Sequence, residues 1–253
     1  MAISVPENLY IYDADLTGIS FQYCFRYPET IRYFTDTPQK AELSAGRQQA
    51  FVTEEMLFAW TEAGKERNSY AEYCLSCMPV SELLLSYERC VFHAVALRWR
   101  ERAYLISAGS GVGKSTQCST LTKYWPREFS VINGDKPILE YRQDGSILVH
   151  PSPWNGKEGW HGAEAAPLAG LFFLRRGEQN EIRSLLPREA AALAFRSVFQ
   201  SYSSPCIIRR AGSFCEKLLE SCPVWLLTSH HVPDSTGLLY RTLCGTGEKG
   251  KQI

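Results

Sequence analysis

The chain has 253 residues, 45% hydrophobic and 21% charged, ordinary values for a globular protein that can bury a substantial core. Its 27 basic and 27 acidic residues cancel, so it lacks the basic excess needed to neutralise a run of phosphates, and nucleic acid is not expected as a partner. No stretch approaches the ~20 apolar residues that cross a bilayer, and the opening residues show no basic region followed by an apolar run. Neither a membrane nor a secretory route is expected; the cytoplasm is.

Along the chain, the first fifty residues are rich in aromatic and β-branched types (Tyr10, Ile11, Tyr12, Ile19, Phe21, Tyr23, Phe25). Asp13, Gly18, Pro28 and Pro38 punctuate them, which predicts short strands joined by turns. Ser69 with Glu72 three residues on has the form of a capping box, opening a helix through Tyr73 that Pro79 interrupts or restarts near Val80. Cys74 and Cys77 would share one face of it. With 9 cysteines, an odd number at irregular spacing, reduced thiols are expected, and the lone C-x-x-C lacks the second pair or histidines of a zinc site.

From Cys90 the character changes. Val91 to Leu97 reads as a strand, Arg98 to Arg102 as a polar turn and Ala103 to Ser107 as a second strand, followed by glycines and a helix from about Lys114 to Trp125. A strand from Phe129 to Ile132 ends at Asn133-Gly134-Asp135, and Asp144-Gly145 marks a hairpin between 137–141 and 147–150. After the loop 151–167, Leu168 to Leu174 reads as a buried strand. Helices are expected from Pro187 and over Gly212 to Ser221, with fraying from Gly245. The class is α/β with antiparallel additions: a strand-rich N-terminal part over 1–88 ending in a helix, a core over 89–244, and a flexible tail over 245–253.

The chemistry is concentrated in Ala108-Gly109-Ser110-Gly111-Val112-Gly113-Lys114-Ser115-Thr116, a P-loop pattern between a strand and a helix. Backbone N–H groups can wrap a phosphate closely where Gly109, Gly111 and Gly113 have no Cβ. Lys114 offers a positive charge to β and γ oxygens, Ser115 a hydroxyl to Mg²⁺, and the helix N-terminus favours anions. The first glycine of the pattern is Ala108 here, a position that ends the strand and need not touch phosphate. The spacing implies a nucleotide as partner. Such a site also needs a carboxylate at the end of a neighbouring strand, and Asp135, about twenty residues further on, fits that place.

With His93-Ala94 just upstream, the P-loop on the next strand and an acid at the end of the one after, the chain resembles the HPr kinase/phosphorylase family, whose core is shared with phosphoenolpyruvate carboxykinases. It is similar in particular to uncharacterised bacterial HPr-kinase-like proteins found beside peptide-modification genes. Their ordered motifs are echoed by Asn133-Gly134-Asp135-Lys136-Pro137, Pro153-Trp154-Asn155-Gly156-Lys157-Glu158, Pro167-Leu168 and Leu174-Arg175 with Asn180, over roughly residues 70–230. The resemblance implies an ATP- and Mg²⁺-dependent kinase acting on a hydroxyl of a peptide, protein or small molecule, assembled as a homo-oligomer. It implies metal binding by Ser115 and Asp135, and assistance to the acceptor by His93. Lys136, Lys157 and Arg175 are candidates for further phosphate contacts.

The sequence departs from that pattern at one place. The relatives carry two adjacent acids, the first taking the acceptor's proton, and here the first is Gly134. Three arrangements remain open: His93 acts as base alone, Glu158 substitutes, or nucleotide is bound and nothing is transferred. The rival to a kinase is therefore a nucleotide-binding regulatory or scaffold protein. A decarboxylating carboxykinase ranks below both, because the chain is much shorter and shows no second-metal constellation.

Overall fold

A computed structural model describes residues 9–34, 38–162, 164–201 and 204–248 as a mixed α/β protein with two sheets. The smaller sheet is 4-stranded: β1 (Tyr10–Leu16) and β2 (Ile19–Phe25) form a hairpin, flanked by β3 (Gln39–Lys40) on β1 and β4 (Gln49–Phe51) on β2. Two helices follow, α1 (Glu54–Glu62) and α2 (Ser69–Leu84). The sheet lays Phe21, Tyr23 and Phe25 against Cys77, Val80 and Leu84 of α2, and the same cluster takes in Val91, Ile138 and Trp154 from the rest of the chain.

Helix α2 departs from expectation in two ways. It runs through Pro79 without breaking, because the turns on both sides of the proline are buried and packing outweighs the missing hydrogen bond. Its cap is Asn68, whose side chain accepts from Ala71 N at 3.0 Å, so the Ser69/Glu72 capping box does not form. Glu72 instead accepts from Arg26 N (2.7 Å), Tyr27 N (3.1 Å) and Thr30 Oγ1 (2.6 Å), joining α2 to the end of β2. Burial nonetheless raises the Glu72 pKa above the ordinary glutamate value, against these bonds. Because the folded value is the higher one, Glu72 contributes stability that is complete below the unfolded value and lost as pH rises through the folded one. Urea unfolding from about pH 4 upward should show wild type losing stability relative to Glu72→Gln across that window.

The larger sheet is 9-stranded. β5 (Arg89–Val91) pairs with β9 (Ile138–Tyr141), which forms the expected hairpin with β10 (Ile147–His150). β6 (Val95–Trp99), β7 (Arg102–Ser107) and β8 (Phe129–Asn133) form the other wing. β11 (Ala166–Arg176) joins the two, pairing with β10 near its start, with β7 in parallel along its middle and with β13 (Val224–Ser229) in parallel toward its end. β12 (Glu181–Ser184) closes the edge on β13. The single strand expected over Val91 to Leu97 is thus two, parted at Phe92–Ala94, because β5 and β6 pair in different wings.

Side chains of β11 alternate between two cores, which is why it reads as an unbroken apolar run. Leu171 and Phe173 face the cluster closed by α4 (Pro187–Ser197) and α5 (Pro205–Ser221). Phe172 and Leu174 face the one closed by α3 (Lys114–Tyr124) and α6 (Val232–Glu248). α6 continues past Gly245 to Glu248, and the remainder of the expected tail lies outside the described residues. Among the described residues, no helix is long and apolar enough to cross a membrane.

Candidate functional site

The pairing fixes which ends meet. β7, β8, β11 and β13 run the same way and β6 runs against them, so the ends of β7 and β8 and the start of β6 lie on one edge. Ligands of open α/β sheets bind outside this carboxyl edge. His93 before β6, the glycine loop after β7 and Asp135 after β8 therefore converge, although the sequence separates them.

The loop leads straight into α3. Gly111 (φ +75°) and Gly113 (φ +124°) hold left-handed conformations that side-chain-bearing residues avoid, whereas Gly109 has ordinary backbone and room for a Cβ. Gly113 stands at the N-cap without a side chain to offer. Among the described residues, no acceptor meets the backbone amides of Lys114, Ser115 and Thr116. These donors, at the positive end of the helix dipole, are placed to favour an anion. Ser115 is half-buried beside it, while Thr116 and Ser110 are exposed.

The Lys114 side chain is 8% exposed. Its Nζ lies 3.0 Å from Ala108 O and 3.0 Å from His93 Nε2. Burial lowers its pKa below the ordinary lysine value, against the pull of Asp135 and Glu158. His93 Nε2 also stands 3.4 Å from Asp135 Oδ1. One ring nitrogen cannot accept from Lys114 and donate to Asp135 together. The shorter contact favours a bare Nε2 that accepts from the ammonium, with the ring proton on Nδ1.

Asp135 Oδ2 accepts from Lys136 Nζ at 2.7 Å. Burial opposes charge on Asp135; the His93 ring, in the state that donates from Nε2, and the Lys136 ammonium outweigh it and hold the carboxyl well below the usual carboxylate range. Burial likewise opposes charge on Lys136, and the neighbouring acidic groups, Asp135 among them, keep its pKa raised. The Phe199 ring covers both bases, its centroid 5.4 Å from Lys136 Nζ and 5.8 Å from the His93 ring.

The turn carrying Asp135 depends on a residue to which the sequence reading gave no role. Asn133 is fully buried; its Oδ1 accepts from Asp135 N (2.9 Å) and Lys136 N (2.7 Å), and its Nδ2 donates to Ser152 O (3.2 Å) and Asn155 Oδ1 (3.0 Å). An Asn ending an apolar strand just before an acid was the available signal. The loop 153–162 lies directly on this turn: Gly134 N donates to Trp160 O and Gly162 N to Ile132 O, each at 2.8 Å. A Cβ on Gly134 would stand 2.5 Å from Asn155 O, so the residue in place of the first acid is enclosed by backbone.

Other candidates separate. Glu158 is exposed, yet near enough for its charge to act on Lys114. Lys157 is exposed and does not join the cluster. Arg175 turns to Thr228 Oγ1 at 3.0 Å, and it is the next residue, Arg176, that reaches the loop, donating to Gly111 O at 2.7 Å. Alternation along β11 puts Arg176, not Arg175, on the α3 side with Leu174. Cys77 is buried and hydrogen-bonds to Cys74 O, and no cluster of three or more His, Cys, Asp or Glu forms a metal cage among the described residues.

No family model matches the sequence, and no curated protein does. Among solved structures, the chain is similar to the Hpr(Ser) kinase/phosphatase from Coxiella burnetii at 12% identity and a TM-score of 0.36, over 62% of this chain and 98% of that one.

Proposed function

We propose that the chain binds the phosphates of ATP through a P-loop and transfers the γ-phosphoryl group to a hydroxyl of a peptide, protein or small molecule. The observation that carries this reading is the meeting, at one sheet edge, of three first-turn amides without partners among the described residues, a buried lysine and an aspartate held by Lys136. The amides of Lys114, Ser115 and Thr116 bind phosphate oxygens, and Lys114 exchanges Ala108 O and His93 for them. The Ser115 hydroxyl and the Asp135 carboxylate fit Mg²⁺, being hard oxygen donors, and two protein ligands suffice because this ion keeps waters and phosphate oxygens around it. Mg²⁺ held by these two residues would supply charge neutralisation for the transferred group. Arg176 can turn from Gly111 O toward the same charge.

His93 serves as the base. With its proton on Nδ1, Nε2 is freed when Lys114 turns to phosphate, and it can then take the acceptor's proton. His93→Ala should lower transfer from γ-labelled ATP by about 10²–10⁴-fold. MgATP affinity, read by calorimetry, should change little. Equal losses in binding and transfer would remove His93 from the chemistry.

The enclosure of Gly134 favours one second reading, a nucleotide-binding regulator that transfers nothing. Single-turnover incubation with γ-labelled ATP and a cell extract separates the two. Tight binding with no labelled product other than free phosphate selects the regulator. Absence of MgATP binding rejects both.

A further inference from the structure

A groove of about 1020 Å³ lies away from this site, between β4, α1, α2 and the segment around Gln200. Phe51, Met56, Trp60, Met78 and Leu83 give it an apolar lining, with two methionines that adapt to the shape of a guest. One wall includes Gln49 and Phe51 of β4, an edge strand. β4 pairs only with β2, so no strand meets the other side of Gln49–Phe51 among the described residues. Gln200 is 4% exposed, and among the described residues neither its Oε1 nor its Nε2 has a hydrogen-bond partner. An unpaired buried carboxamide is a standing cost to the fold, and a leucine there would avoid it.

Each feature points to the same guest. An edge strand offers alternating N–H and C=O groups to another strand, and apolar pockets beside it take alternate side chains. A carboxamide presents one acceptor and a donor, the complement of a peptide group's N–H and C=O. We propose that this groove binds an extended peptide segment of a partner, which adds as a strand to β4, seats a large apolar side chain between Met56, Trp60 and Met78, and pairs one peptide group with a Gln200 carboxamide turned into the groove. The site shares no residue with the phosphate cradle and does not depend on the reading of that cradle.

The probe is a library of acetylated hexapeptide amides with Thr at alternate positions and Leu, Ile, Met, Phe or Trp at the others, applied to the full chain with affinity selection and mass spectrometry. Members should be retained, and N-methylating their strand-pairing amides should weaken binding by about tenfold or more. Gln200→Leu should weaken binding by a similar factor while raising the melting temperature of the free protein. Ala59→Trp, an exposed position on the groove wall, should block binding without unfolding the chain. The proposal is overturned if no member binds, if N-methylated members bind equally (an apolar small-molecule site), or if Ala59→Trp leaves affinity unchanged. It also fails if Gln200→Leu lowers the melting temperature, or if sedimentation shows the groove closed by a second copy. Binding retained in Lys114→Met separates this outcome from failure of the phosphate site.

Discussion

Lys114→Met should reduce MgATP affinity by about 10–150-fold, the worth of one charge-assisted contact of 1.5–3 kcal/mol, and leave the stability of the free protein unchanged or raised. The first half follows from position. Lys114 opens α3 with its ammonium folded back under the loop, 3.0 Å from Ala108 O, where an anion on the three amides would draw it out. The second half follows from burial, which disfavours the charge and lowers the pKa. A lysine needed only for structure would behave in the opposite way, because its loss would destabilise. Calorimetric titration with MgATP and urea unfolding of the same preparations read both quantities. Undiminished affinity in the variant would remove the phosphate assignment altogether.

The second large effect concerns Gly134. Restoring the missing acid by Gly134→Asp looks, from sequence, like a way to raise transfer. The structure predicts the reverse. Any Cβ there meets Asn155 O at 2.5 Å and Trp160 O at 3.2 Å, both main-chain atoms of a loop fastened to β8 at Gly134 and Gly162. Gly134→Ala should cost about 1–3 kcal/mol by overpacking, and Gly134→Asp at least as much. Each should also displace Asp135, the next residue, for which a shift of an ångström costs on the order of 100-fold in rate. Urea unfolding and labelled-ATP transfer measure the two effects. Faster transfer in Gly134→Asp would mean that the loop yields and that an acid was all the site lacked.

Much of this was legible beforehand, for reasons specific to each element. The glycine loop declares itself because left-handed backbone at Gly111 and Gly113 must be written as glycine. The β9–β10 hairpin shows through Asp144-Gly145 and β11 through its apolar run, since both signals are local. What stayed hidden depends on partners distant in sequence. The break at Phe92–Ala94 comes from pairing in two wings, and nothing in Val91 to Leu97 itself marks it. Glu72 fits a capping box by spacing, but a stronger set of donors at Arg26, Tyr27 and Thr30 claims it. Arg176, not Arg175, reaches the loop because alternation along β11 puts it on the side of Leu174. β13 and α6 are marked in the sequence only by Pro223 after the end of α5 and by Pro233-Asp234 in the first turn of α6. The role of Gly134 reads as a loss until the loop above it is seen.

The break before β6 also bears on how the site can be taken apart. His93 N donates to Ser197 O (2.7 Å), Ala94 N to Asp135 O (3.0 Å) and Phe92 N to Pro137 O (3.0 Å), while His93 O accepts from Ser107 Oγ (2.8 Å). The spacing between the histidine and the aspartate is therefore set by main chain, and either side chain can be removed without releasing the other. A double-mutant cycle across His93 and Asp135 would then report the coupling of imidazole and carboxylate themselves, free of backbone relaxation.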